Sequence, residues 1–136
     1  MLFRSLNFPK GKLRLIEKWK TYPDYLSDVA RHKIVLQLDR SHVPGQVAGD
    51  ALLCRIPCVG GDGAIERIAF SKTCGDGRTI NEIVSMALDL LKNLELREAV
   101  VAESQERARE RLSFEAARSQ LAKFFANVHG TLVFDP

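Results

Sequence analysis

Two short apolar runs, each followed at once by turn-forming residues, constrain the fold of this sequence more than any other feature. Lys33-Ile34-Val35-Leu36-Gln37-Leu38 is compact and apolar and reads as a buried parallel strand. Ile56-Pro57-Cys58-Val59 reads as a second, shorter one. Between them lie the loop Asp39-Arg40-Ser41-His42-Val43-Pro44-Gly45 and a helix predicted over residues 46–54, despite Gly49. After them, Gly60-Gly61-Asp62-Gly63 forms a tight turn feeding a short helical segment around Ile65 and Glu66. Strand, loop, helix, strand, glycine turn and helix in that order make an α/β rhythm.

The flanks read as helices. Pro23 suits a first helical turn, and Tyr25, Leu26 and Val29 make the stripe of a helix ending near His32. Thr79-Ile80-Asn81-Glu82 is a capping box, in which the threonine accepts from an early backbone N–H and the glutamate reaches back. Ile80, Ile83, Val84, Ala87 and Leu91 then form one face as far as Lys92, with Asn93 closing the helix. A charged helix is predicted over 94–112, with Glu103 and Arg107 at helical spacing. Ser113 caps a last helix whose face carries Phe114, Ala117, Leu121, Phe124 and Phe125. The tail 129–136 either frays or adds a strand. The expected organisation is a basic segment over 1–22, one domain over 23–128, and that tail.

A chain of 136 residues fits one domain, since domains commonly run to about 100–200 residues. Its 46% hydrophobic and 27% charged residues argue against global disorder. A formal charge of +3, mixed along the chain, does not call for nucleic acid but is compatible with an anionic ligand. The first twenty residues are the basic exception: Arg4, Lys10, Lys12, Arg14, Lys18 and Lys20 face only Glu17. Leu13, Ile16 and Trp19 share a face there, so peripheral contact with an anionic membrane stands beside the plainer reading of a solvated helix. Cys54, Cys58 and Cys74 are odd in number and irregular in spacing, which argues for free thiols in a reducing cytoplasm. Zinc would need a fourth ligand, and only His42 lies nearby in sequence. No apolar run approaches the roughly 20 residues of a membrane span.

In open parallel sheets, ligands collect beyond the carboxyl ends of the strands. Ser41 to Gly45 and Gly60 to Gly63 hold that position. Glycines let backbone N–H groups approach a phosphate, and a following helix N-terminus favours negative charge. Neither loop matches the dinucleotide fingerprint or the P-loop. Read singly, they are connections, Asp50 is a solvated residue early in a helix, His42 a loop histidine and Glu66 a surface charge.

Their shared order says more. The stretch from Ser41 to Gly60 resembles the donor-site signature of the large retaining GT-B glycosyltransferases. In that signature a serine and a glutamate lead, and a glycine follows three residues after the glutamate. A second glutamate then opens the run Glu-Ala-Met-Ala-x-Gly-x-Pro-Val-Val. Asp50-Ala51 falls where Glu-Ala sits, Gly45 at the glycine and Pro57 at the proline. Gly60 to Ile68 resembles the family's Gly-Gly-x-x-Glu turn, with Glu66 at the acidic position. Thr79 to Asn93, Arg97 and Ser113-Phe114 echo its closing helices, so the likeness spans residues 24 to 128.

The resemblance implies an α/β fold: a partial Rossmann-like, GT-B C-terminal domain with a short parallel sheet and C-terminal helices. It implies that Gly45 lies near a donor diphosphate, that Asp50 holds ribose hydroxyls, and that His42 stands beside the sugar. Gly60, Gly61 and Asp62 would form the adjacent wall, and Glu66 would belong to the donor site too. The nucleotide-sugar would be a substrate, with no metal or other cofactor. Two positions depart from the family: His42 replaces a carboxylate and Arg55 a glycine. The acceptor domain and the first donor-domain strands have no counterpart here. The expectation is therefore a hexosyltransferase-like donor portion that is inactive alone. The alternative is a non-catalytic nucleotide-binding or interaction module, docking on a partner subunit or on its own copy.

Overall fold

The computed structural model describes residues 20–131. Most of the basic segment, and with it the membrane-contact reading of residues 10–20, lies outside them. The described chain is mixed α/β and mostly helical. In order it runs α1 (Tyr22–Val29), β1 (Val35–Gln37), α2 (Gln46–Leu53), β2 (Cys58–Gly60), α3 (Ala64–Ala69), α4 (Ile80–Lys92), α5 (Leu94–Arg111) and α6 (Phe114–Thr131).

The two strands are parallel, with Val35 opposite Cys58 and Gln37 opposite Gly60. They are shorter than the apolar runs that predict them. Val35 N–H donates to Pro57 O and Gly61 N–H to Gln37 O, which carries the ladder just past each end. Helix α2 packs on both strands and α4 on β2, while α5 touches α2, α3 and α4. The core gathers Ala48 and Ala51 from α2, Val59 from β2, Phe70 beyond α3, and Ile83, Ala87 and Leu90 from α4.

The helix ends follow local chemistry. Thr21 caps α1, with Pro23 in the first turn. Thr79 and Glu82 close a reciprocal capping box on α4. Asn93 does double duty: its N–H donates to Asp89 O, and its side chain accepts from Leu96 N–H to open α5. Ser113 Oγ accepts from Ala116 N–H at the start of α6.

Three expectations need correction. β1 is not a buried strand: Leu36, and Leu38 just beyond it, are exposed, because side chains alternate between faces and α2 covers only one of them. On α4 the buried residues are Ile83, Ala87 and Leu90, whereas Ile80, Val84 and Leu91 stay exposed. A stripe wider than its neighbours leaves one flank uncovered. The tail's first residues neither fray nor form a strand, since α6 continues to Thr131; the remainder lies outside the described residues.

Candidate functional site

The carboxyl ends of β1 and β2 lead into two loops that meet over one side chain. In the first, Asp39 accepts from Ser41 N–H at 3.0 Å and from Ser41 Oγ at 2.7 Å, which turns the chain directly after the strand. His42 follows in the left-handed region, at φ 52°. Its backbone N–H donates to Asp62 Oδ1 at 3.1 Å, and its Nδ1 lies 3.4 Å from Asp62 Oδ2. Asp62 is buried while the imidazole is 66% exposed, so a fixed carboxylate orients a ring that faces solvent.

The second loop needs its glycines for space. A Cβ on Gly60 would fall on Gln37 O, where the two strands approach. Cβ atoms on Gly45, Gly61 and Gly63 would all run into the Glu66 carboxylate, that of Gly63 also into Val43 O. Ile65 N–H donates to Pro44 O at 3.1 Å and ties the two loops together.

Glu66 is therefore the centre of this arrangement. It sits in the first turn of α3 and is fully buried. Neither carboxylate oxygen has a hydrogen-bond partner among the described residues. Burial pushes its carboxyl up, and the charges of Asp62 and Asp39 push the same way. The plain reading of Glu66 as a surface charge is overturned.

Of the residues singled out in sequence, His42, Gly45, Gly61, Asp62 and Glu66 come together here, with Gly60 at the end of β2. Asp50 is engaged elsewhere, with the tyrosines of α1. It is buried within α2, where its Oδ1 accepts from Tyr22 OH at 2.6 Å, so the reading of a solvated helical residue is also wrong. Gly45, left-handed at φ 91°, is the N-cap of α2 with no side-chain cap, and it is buried against the Glu66 carboxylate. Sequence reasoning missed Tyr22, which carries no motif, and Asp39, whose turn-forming role was legible in Asp-x-Ser.

Chemically, the site offers a helix N-terminus without a side-chain cap and an oriented imidazole beside two buried carboxyl groups. No group of three or more His, Cys, Asp or Glu side chains is placed to hold a metal among the described residues. Cys58 lies in the core, and burial pushes its thiol up to about 12, so it is no nucleophile at neutral pH. No helix among the described residues is long and apolar enough to cross a membrane. Comparison with known proteins finds no matching family model, no matching curated protein and no matching solved structure.

Proposed function

We propose that the chain binds the nucleotide part of a nucleotide-sugar at the carboxyl ends of β1 and β2, as the donor portion of a Rossmann-like, GT-B-type glycosyltransferase. The observation that carries this reading is the start of α2 at left-handed Gly45, which no side chain caps, flanked by His42 and by the Gly60–Gly63 turn. Backbone N–H groups at a helix start, with the helix dipole behind them, suit a diphosphate. His42, aimed by Asp62 at its Nδ1, adds a side-chain donor through Nε2–H when its ring is protonated. In an intact transferase these donors would stabilise charge on the leaving diphosphate. Sugar transfer would need an acceptor domain or partner subunit, and the chain alone is expected to bind without turning over.

Calorimetric titration with UDP, GDP, ADP and their sugars tests this, with His42→Ala and Asp62→Asn as variants. Saturable binding of one nucleotide, weakened in both variants, is the expected result. Absence of binding by all of them would end the donor reading.

A second reading, a docking module, is favoured by a specific feature. Helix α6 packs against α5, yet Phe114 is 92% exposed and Leu121, Phe124 and Phe125 are more than half exposed. Such a run of apolar side chains is the kind of surface that partners cover. A dimer or hetero-complex is expected on this reading, and a monomer by light scattering at high concentration would count against a self-docking face.

A further inference from the structure

A cleft of about 650 Å³ opens at the opposite end of the sheet, where Lys33 and Pro57 lead into β1 and β2 and α5 begins. Ile56, Pro57 and Val101 contribute apolar lining. Lys33, Arg55, Arg97 and Arg109 add four cations, against the single carboxylate of Glu98. The cleft is therefore a local concentration of positive charge.

The cations are available. Lys33 and Arg55 enter no ion pair among the described residues. Arg97 gives its guanidinium to the carbonyls of Leu90 at 2.8 Å and Leu91 at 3.2 Å, which fixes its direction and leaves its charge unneutralised. Arg109 is the exception, shared with Glu106. Gln105 Nε2 donates to Leu52 O at 2.7 Å and fastens α5 to the end of α2, so the wall is tied to its neighbour.

Arg55 is the most telling residue. It sits at φ 55°, a left-handed conformation that glycine adopts freely and a long side chain does not. An arginine in so unfavourable a turn conformation, lining a cationic cleft, points to a use for the guanidinium.

We infer that this cleft is an anion site, separate from the loops around Glu66, for a phosphate or diphosphate group carried on an apolar body. Arginine forks and a lysine match phosphate oxygens, and the apolar lining receives the remainder of the ligand. Free phosphorylated molecules and lipid headgroups share this chemistry.

Calorimetry with inorganic pyrophosphate on the full chain tests the site. Wild type is expected to bind saturably, with affinity falling as salt is added. Arg55→Gly removes the guanidinium but suits the backbone, so it keeps the fold; it should bind at least about tenfold more weakly, the loss of one charge-assisted contact. Lys33→Ala should behave alike, whereas Arg118→Ala, which removes the same charge from α6, should bind as wild type. Vesicles containing phosphatidic acid separate the two sources. Capture lost in Arg55→Gly assigns a headgroup; no capture, with pyrophosphate binding intact, assigns a soluble phosphate. No saturable pyrophosphate binding, or equal affinity in wild type and Arg55→Gly, would overturn the proposal. The donor reading fails separately, through nucleotide binding that His42→Ala does not weaken.

Discussion

The phenolic hydroxyl of Tyr22 donates to Oδ1 of Asp50 at 2.6 Å and joins the first helix to the second across 28 residues of sequence. Asp50 is buried, while Tyr22 is half exposed. The contact gives α1 a polar anchor on a domain in which that helix buries no residue of its own.

Asp50→Ala should therefore destabilise the protein by about 1–2 kcal/mol, since a hydrogen bond to a charged group is lost and one partner is already wet. Tyr22→Phe should cost less than a direct truncation of Asp50, and Asp50→Asn, which keeps an acceptor, least of all. Urea denaturation of the three variants checks the order. Equal midpoints would mean that the bond adds nothing.

The same contact fixes a pH dependence. The hydrogen bond to Asp50, then burial, hold the Tyr22 phenol above its ordinary value, and burial does the same first for Tyr25. A raised phenol favours the protonated form in the fold. Stability is thus fully present below about pH 10, the free value, and falls as pH rises through the folded values. Ultraviolet titration should show both tyrosines ionising late, with Tyr22 moving back towards the free value in Asp50→Ala.

Glu66 shows the same sign at a carboxyl group, in a lower pH window. Its raised value favours the neutral acid in the folded state, so its contribution is most favourable below the free carboxyl value and is lost as pH rises towards the folded one. Glu66→Gln removes the ionisation. It should raise stability at neutral pH, because the fold no longer holds a buried group that ionises, and flatten the profile between acid and neutral pH. A loss of stability would instead mean that the carboxylate is held charged by a ligand.

Two glycines beside Glu66 should respond differently to alanine. At Gly45 the closest collisions are all with Glu66 side-chain atoms, whereas at Gly63 the first is with backbone Val43 O. Combining Gly45→Ala with Glu66→Ala should recover part of the loss, with a coupling of about 1 kcal/mol or more; Gly63→Ala should show little recovery. The left-handed φ of Gly45 keeps its rescue incomplete. Double-mutant cycles by thermal denaturation measure both.

Thiol labelling gives a separate check on burial. Cys58 is fully buried with its thiol held up near 12, while Cys54 is partly accessible although burial also raises it. A disulfide reagent should modify Cys54 first and reach Cys58 only on unfolding. Fast native labelling of Cys58 would contradict the packing of β2.

The sequence by itself determined what short-range chemistry controls. The capping box at Thr79 and Glu82, Pro23 in a first turn, Ser113 before α6 and the glycine turn at 60–63 are each read from neighbours within a few residues, and each stands where it was expected. The two strands were legible as apolar runs, and their parallel pairing bears out the α/β rhythm. Tertiary structure alone decided which of those apolar residues are buried. Leu36 and Leu91 are as hydrophobic as Val59 and Leu90, and their exposure depends on what else packs nearby. It also decided the partners of the charges. Nothing local marks Glu66 as enclosed by glycines of two loops, or pairs Tyr22 with Asp50. Burial and long-range hydrogen bonds are properties of where segments meet, and no window of sequence contains both sides of such a meeting.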